Sequence, residues 1–397
     1  MSICNIRIFY QFPRVKVVKS QYYEEDGLIV IHLEPDRRYR PICSGCGSKD
    51  CMMHSYRTRF IRDLPLAATK VVLRYTYQRV NCKSCGIRGE TNEFVSPYAR
   101  ITKRFAEYIF SLCHSMTIID VAKHFDIDWK TIKNVEKARM QERLERDGQR
   151  IAPVLAIDEI SIRKGHQYLT VVVDYKRGKV LWMGPDRKMN TLKRFFTCLT
   201  EEEKASIKAI ATDMWDPYIR AIETYCPKVA IVFDLFHVVQ IFNRVIDKVR
   251  NLEYIKALQK DKPVLKGTKY ILLKNRTSLK PKEKPKLKAL LKLNHNLSAT
   301  YILKDYLKKL WNYKYPAAAR NFLEYWCHLA LKSGLKPLKK FAKMLKRYAY
   351  GIINHCLYPI HTGKVEGINN KIKVIKRKAY GFLDLEYFIL KVKYATL

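Results

Sequence analysis

The chain has 397 residues, 48% of them apolar, which is enough for two or three domains with sizeable cores and excludes wholesale disorder. It carries 76 Lys and Arg against 37 Asp and Glu, a formal charge of +39. Self-repulsion on that scale is tolerated mainly when a polyanion screens it, and nucleic acid is the default polyanion. An anionic membrane surface competes, but no apolar run is long enough to span a bilayer. "MSICNIRIFYQFPRVK" also lacks a signal-peptide pattern, so a cytoplasmic protein is expected. The eleven cysteines then read as thiols or metal ligands rather than disulfides.

Residues 1–40 read as a β hairpin, with "RVKVVKS" and "GLIVIHL" flanking the polar turn "QYYEEDG". Residues 41–95 hold two knuckles, "CSGCG" with Cys43 and Cys46 and "CKSCG" with Cys82 and Cys85. Paired C-x-x-C knuckles give a tetrahedral four-thiolate zinc site with no open position, a structural site. The strands "RTRFIRDLP" and "KVVLRYTYQRV" between them make it a zinc ribbon. A redox dithiol would need only one C-x-x-C. Cys51 and His54 lie nearby as spare ligands or bystanders. The six scattered cysteines, Cys4, Cys113, Cys198, Cys226, Cys327 and Cys356, read as buried small residues.

Residues 100–148 have helical periodicity and no Gly or Pro until Gly148. Within them "TIIDVAKHFDIDWKTIKNVEKAR" has the spacing of a helix-turn-helix. Ile119 and Ala122 pack the first helix, Asp126 takes the place of the usual turn glycine, and Asp128 caps the second helix. Trp129, Ile132 and Val135 hold that helix to the core. Lys130, Thr131, Lys133 and Asn134 are then left to face DNA. An ordinary packed helical pair is the alternative.

From Val154 the period changes. "VLAIDEISI", "YLTVVVDY" and "GKVLWMG" are strands, "NTLKRFFTCLTEEEKA" is a helix, "IKAIATD" a strand, "MWDPYIRAIETY" a helix and "KVAIVFD" a strand. The order βββαβαβ over residues 151–237 predicts a mixed α/β sheet. Residues 238–350 form a basic helical insertion, in which "KPKEKPKLKALLKLNHN" marks a loop between helices. Trp311 and Trp326 within it read as core residues or as stacking platforms for an unpaired base. Residues 351–397 return to the sheet.

Asp158 lies inside the first of these strands, and Asp213 and Asp234 end the fourth and fifth. Carboxylates there are costly unless paired or bound to metal. Asp158 and Asp213 would be neighbours. A third carboxylate brought in by a later helix would let them hold two hard cations for phosphoryl transfer. Glu366, alone among cations in "HTGKVEGINNKIKVIKRKAYGF", suits that role, with Asn369, Lys373, Lys376 and Arg377 further along the same helix for phosphates. Strand-end capping and a surface ion pair are the bland readings of these acids. Glu159, Asp174 and Asp216 are alternatives. Spacing alone does not choose between Asp213 and Asp234, although strand order favours Asp213.

These pieces resemble bacterial DDE transposases, in particular the ISL-three family of insertion-sequence transposases. The similarity is carried by "AIDEISIRKGHQYLTVVVD", "DMWDPYIRAIETYCPKVAIVFDLFHVVQIFNRVIDKVR" and "TGKVEGINNKIKVIKRKAYGF". It implies a zinc ribbon and helix-turn-helix joined to a ribonuclease-H-like catalytic domain. It further implies an Asp158, Asp213 and Glu366 triad that binds two Mg2+ ions, with Mn2+ able to substitute. The element Asp234-x-x-His237 also matches; His237 either contacts the scissile phosphate or supports the metal site, or else pairs with Asp234 and pins the strand to the next helix. The implied activity is cleavage at element ends and strand transfer into target DNA, by a homo-oligomer assembled on DNA at the nucleoid. The alternative is a catalytically inactive DNA-binding regulator derived from a transposase.

Overall fold

A computed structural model describes residues 9–148, 151–163, 167–259, 261–360, 363–379 and 381–397. The chain forms two compact units that divide between Arg143 and Leu144.

The first unit is built on a five-stranded sheet. Strands β1 (Val15–Tyr23), β2 (Leu28–Pro35), β3 (Cys51–Leu66) and β4 (Thr69–Cys82) run in the order β1-β2-β4-β3, and β5 (Gly86–Gly89) pairs with β4. The hairpin and the ribbon strands therefore share one sheet, joined by parallel pairing of β2 with β4. Alternation places Ile31, Leu33, Ile61, Val71, Leu73 and Tyr75 on one face, all buried under Tyr10, Phe94 and Val95. Helices α1 (Lys103–Leu112), α2 (Ile118–Phe125) and α3 (Trp129–Asp147) follow. Buried Asp63 on β3 anchors α1, accepting hydrogen bonds from the capping Thr102 hydroxyl and from Arg104 Nε at 2.9 Å. The Arg104 guanidinium also lies over the Tyr10 and Phe12 rings, so the carboxylate is buried with partners rather than alone.

The second unit centres on a mixed sheet. Strands β6 (Val154–Arg163), β7 (Gln167–Asp174), β8 (Lys179–Pro185), β9 (Ala209–Thr212) and β10 (Ala230–Phe233) lie in the order β10-β9-β6-β7-β8. The first three are antiparallel, and β9 and β10 run parallel to β6. This is the mixed sheet expected from βββαβαβ, in the ribonuclease-H-like form that the family resemblance implies. The segment expected as one helix after β8 is two, α4 (Met189–Thr197) and α5 (Glu201–Ser206). Thr200 interrupts it by forming a capping box with Glu203, an N-terminus signal stronger than helical continuity. Next come α6 (Asp216–Tyr225) and α7 (Leu235–Lys256).

The insertion is helical: α8 (Lys262–Leu265), α9 (Lys269–Leu273), α10 (Glu283–Leu293), α11 (His295–Leu307), α12 (Pro316–Lys332), α13 (Lys336–Arg347) and α14 (Ala349–Ile353). The Pro-Lys segment is thus a helix from Glu283 on, because Pro285 falls in the first turn, where no intrahelical N–H donor is needed. The insertion packs into the same core as α4, α6 and α7. Trp326 is fully buried against Phe242 and Phe341, and its indole N–H donates to the Leu303 carbonyl at 2.9 Å, so it is a core residue. Trp311 packs against that core as well. Lys304 is buried, its ammonium donating to the carbonyls of Leu272 and Lys274 at the end of α9. Burial lowers its pKa to about 8. Gly351 lets α14 touch β10, since a Cβ there would meet the Phe233 ring at 2.4 Å.

Helices α15 (Gly363–Lys378) and α16 (Leu385–Ala395) cover the opposite face of the sheet. Val365, Ile368 and Ile372 of α15 pack with Phe388 and Val392 of α16 onto Ala156, Ile160, Leu169 and Val171. No helix among the described residues is long and apolar enough to cross a membrane.

Candidate metal centres and nucleic-acid interface

In the first unit the Sγ atoms of Cys43, Cys46, Cys82 and Cys85 all lie within 4.8 Å of one another. Strand β4 delivers Cys82, an isolated bridge to Glu90 fixes Cys43, and Gly47 and Gly86 take the left-handed backbone that each knuckle requires. Backbone N–H groups of Cys46 and Gly45 pull the Cys43 thiol down to about 7, towards the thiolate that zinc prefers. Cys51 stands outside the cluster and donates to the Pro41 carbonyl at 3.5 Å, and His54 is exposed and bonded to the Ser55 hydroxyl. Both are bystanders. Of the scattered cysteines, Cys113, Cys226 and Cys327 are buried, Cys356 is half-buried and Cys198 is exposed; Cys4 lies outside the described residues.

The helix pair has the expected turn. Asp126 adopts φ 51°, the conformation for which a glycine is usual, and Asp128 accepts from the Lys130 N–H at 2.9 Å as N-cap. Val121, Ala122, Phe125 and Ile132 form the core. Two packing expectations are corrected: Ile119 is 59% and Trp129 48% exposed. Position 119 falls off the buried stripe set by Val121, Ala122 and Phe125. Trp129 is the first residue of α3, where the ring lies beside Lys130. Lys130 and Asn134 are exposed, and Thr131 and Lys133 half-buried, along the start of α3.

In the second unit Ala156 pairs with Ala211 and Phe233 with Thr212, so Asp158, Asp213 and Asp234 fall level across three adjacent strands at their carboxyl edge. Ligand sites in open α/β sheets favour that edge. Asp213, Asp234 and His237 present ligand atoms within 4.8 Å of one another. His237 Nε2 lies 2.7 Å from Asp213 and 3.8 Å from Asp234. Asp234 also caps α7, accepting from the Phe236 N–H at 2.9 Å, which points His237 back over the strand ends. Burial opposes charge on His237, but its bond to Asp213 and the nearby Asp234 and Asp158 outweigh burial and hold the imidazole above its ordinary pKa.

Asp158 accepts from the Glu159 N–H at 2.7 Å and from the Asn369 amide at 2.6 Å. Burial raises its pKa to about 6, and the neighbouring Asp213 adds to the rise. Thr212 Oγ1 and Asn369 Oδ1 are buried without a hydrogen-bond partner, and both flank these carboxylates. Carboxylate oxygen donors gathered on one edge and two orphaned oxygens beside them fit a hard divalent cation. A cavity of about 30 Å3 lined by Asp158, Asp213, Asp234 and Val365 lies between them.

Glu366 is not drawn into this group. It sits in the first turn of α15, exposed, while its neighbour Val365 lines the cavity and Asn369 holds Asp158. At 100° per residue, Glu366 lies about 60° further round the helix than Asn369. Sequence reasoning assigned Asn369 to phosphates and missed its contact with Asp158; its position one turn beyond Glu366 on the edge of the buried stripe was the available signal. Lys373 and Arg377 are exposed and Lys376 half-buried on the same helix. The alternative acids are engaged elsewhere. Glu159 pairs with Arg187, Asp174 caps the turn after β7, and Asp216 is bonded to Arg347 and Tyr348.

Comparison with known proteins agrees with this layout. The family model described as "Transposase", the DDE domain of the ISL3 family, matches residues 155–392. The "Helix-turn-helix domain of transposase family ISL3" matches residues 90–139, and the "zinc-finger of transposase IS204/IS1001/IS1096/IS1165" matches residues 40–85. The chain is 39% identical over 385 residues to the transposase for insertion sequence element IS1001 of Bordetella parapertussis, covering 96% of this chain and 94% of that one. It is 26% identical over 412 residues to the transposase for insertion sequence element IS1557 of Mycobacterium tuberculosis, covering 95% and 92%. With three domains matched in order and a relative similar end to end, the chain belongs to the ISL3 family of insertion-sequence transposases.

Proposed function

We propose that this transposase cleaves element-end DNA and joins the freed 3′-hydroxyl to target DNA with a divalent-metal site formed by Asp158, Asp213 and Glu366. The observation that carries the reading is the row of Asp158, Asp213 and Asp234, level across three adjacent strands, with Asp158 buried beside Asp213. Two Mg2+ ions, or Mn2+ in their place, would be held by Asp158, Asp213 and Glu366 and would supply charge stabilisation to the attacking and leaving oxygens. Asp158 must ionise for this and give up its bond to Asn369, whose amide is then available to a phosphate. Glu366 reaches the site by a turn of α15 about its axis, through roughly the 60° that separates it from Asn369. His237 orients Asp213 through its 2.7 Å bond and can donate to a phosphate oxygen.

Cβ atoms at Gly363 or Gly367 would meet nothing within 4 Å, which leaves room for a DNA backbone beside Glu366. Lys373, Lys376 and Arg377 follow along the helix for flanking phosphates. Lys130, Thr131, Lys133 and Asn134 at the start of α3 read the element end, and the four-thiolate ribbon holds a structural zinc. The assembly acts on nucleoid DNA as a homo-oligomer.

Incubating the protein with labelled element-end duplex and Mg2+ tests the reading. Strand cleavage that is lost in Glu366→Gln and Asp158→Asn, with duplex binding kept, supports it; cleavage by either variant at the wild-type rate overturns the triad. The second reading, a DNA-binding regulator without chemistry, draws on the exposed Glu366 and the occupied Asp158. Duplex binding with no cleavage in Mg2+ or Mn2+ would select it.

A further inference from the structure

A second cavity, of about 550 Å3, opens beside the acidic row and is not accounted for by the reaction. Its walls come from the starts of β7 and α6 and the loop after β8, which meet at the same edge of the sheet as Asp158 and Asp213. That volume lies in the range of small-molecule sites. Tyr168, Arg187, Lys188, Trp215 and Arg220 line it.

Trp215 is two residues beyond Asp213, and its backbone N–H donates to the Asp213 carbonyl at 2.8 Å. Its indole is 40% exposed, a costly position for so large an apolar ring. The ring is nevertheless fixed, because its Nε1–H donates to the Arg187 carbonyl at 3.3 Å. The Arg187 guanidinium lies 4.7 Å from the Tyr168 centroid and 5.0 Å from that of Trp215, and Glu159 ties it down at 3.2 Å. The two acids of the lining are already satisfied: Asp186 by Thr191 and the Lys188 N–H, Asp216 by Arg347 and Tyr348. Arg220 has no carboxylate partner among the described residues, and Lys188 is exposed, its ammonium 3.5 Å from Asp186 at the rim. The cavity therefore offers a rigid aromatic surface with cations at its rim, the combination that recognises a planar base carrying an anionic phosphate.

We propose that this cavity is a subsite for one unpaired nucleotide of the DNA next to the cleaved bond, with the base stacked on Trp215 and its phosphates on Lys188 and Arg220. The proposal rests on the transposase reading for its DNA, but its test uses neither metal nor cleavage. The probes are a thymidine tetranucleotide, the same backbone with abasic sites, and inorganic phosphate, titrated by anisotropy or calorimetry into the full chain.

The wild type is expected to bind the base-bearing oligonucleotide about tenfold or more tightly than the abasic one, the effect of one base stack. Trp215→Ala removes that ratio, Trp215→Phe retains most of it, and Arg220→Glu weakens both oligonucleotides alike. Unchanged melting of the variants separates the effect from misfolding, and the Phe variant keeps the test decisive if Ala destabilises α6. An equal affinity of the wild type for abasic and base-bearing chains overturns the subsite, as does a ratio unaltered in Trp215→Ala or competition by inorganic phosphate alone. An active nuclease with a ratio indifferent to Trp215 removes only the subsite, whereas an intact ratio without Mg2+-dependent cleavage removes only the reaction.

Discussion

The thiolate cluster of the first unit and the carboxylate row of the second are built in opposite ways. Cys43, Cys46, Cys82 and Cys85 come from two short knuckles joined by one β hairpin, and they converge within 4.8 Å with two of the four buried. Asp158, Asp213, Asp234 and His237 come from three strands and a helix, and Glu366 from a helix more than a hundred residues further on. The first set is complete as the chain folds. In the second, Asn369 sits on Asp158 where Glu366 is proposed to act, and the His237 imidazole is in contact with Asp213. A structural site gains from closure. The proposed reaction site, which would have to admit DNA, gains if Glu366 arrives late, because a preassembled row of unpaired carboxylates would be costly to bury.

The largest effect expected from this contrast is in the thiolate set. Cys82→Ser should lose zinc and with it a good part of the roughly 10 kcal/mol that a structural zinc contributes, so the first unit unfolds while the second keeps its melting transition. Metal analysis and calorimetry check this; a variant that keeps one zinc per chain and native melting would erase the contrast. Glu366→Gln should do the reverse, leaving both melting transitions in place and slowing cleavage about a thousandfold, ~4 kcal/mol in the barrier. Single-turnover cleavage measures it.

Next in size is the pH dependence. Asp158 is raised from 3.8 to about 6 by burial, with Asp213 adding to the rise. The folded state therefore holds its proton longer than the unfolded chain does, and stability is higher below 3.8 and falls as pH rises to about 6, by about 3 kcal/mol in all. Mg2+ binding should tighten over the same window and release a proton, readable by titration calorimetry in two buffers; Asp158→Asn should flatten both trends. A metal affinity independent of pH between 5 and 7 would show that Asp158 is not a ligand. The smallest effect is in recognition. Ala at any one of Lys130, Lys133 and Asn134 should weaken binding to element ends by about 1–3 kcal/mol, the worth of one base contact, and leave the steep salt dependence of binding to random duplex nearly unchanged. Equal weakening on both DNAs would remove α3 as the reading helix.

The elements that carry these sites were legible for local reasons. The knuckles, the Asp126 turn with its Asp128 cap and the β-branched strands of the second unit are short-range patterns, and each falls where its spacing predicts. Misreadings arise where a neighbouring signal competes. Thr200 and Glu203 start a second helix inside a stretch whose helical pattern reads as continuous, and Pro285 sits in a helix because it sits in the first turn. Ile119 and Trp129 read as inward on apolarity alone, while the buried stripes of α2 and α3 run through other positions.

By itself the sequence determined the charge that demands a polyanion, the zinc ligand set, the strand order and the identity of the acids at the strand ends. These depend on residue type and spacing along a few neighbouring residues. Only the tertiary structure decided that Asp234 and His237 join Asp213, that Asn369 rather than Glu366 touches Asp158, and that Trp215 and Arg187 wall a cavity beside them. Those contacts depend on the rotation of α15 over the sheet and on loops meeting at one edge. A helix's rotation is fixed by which side chains its partner surface accepts, and that is settled by packing across hundreds of residues rather than by spacing along the chain.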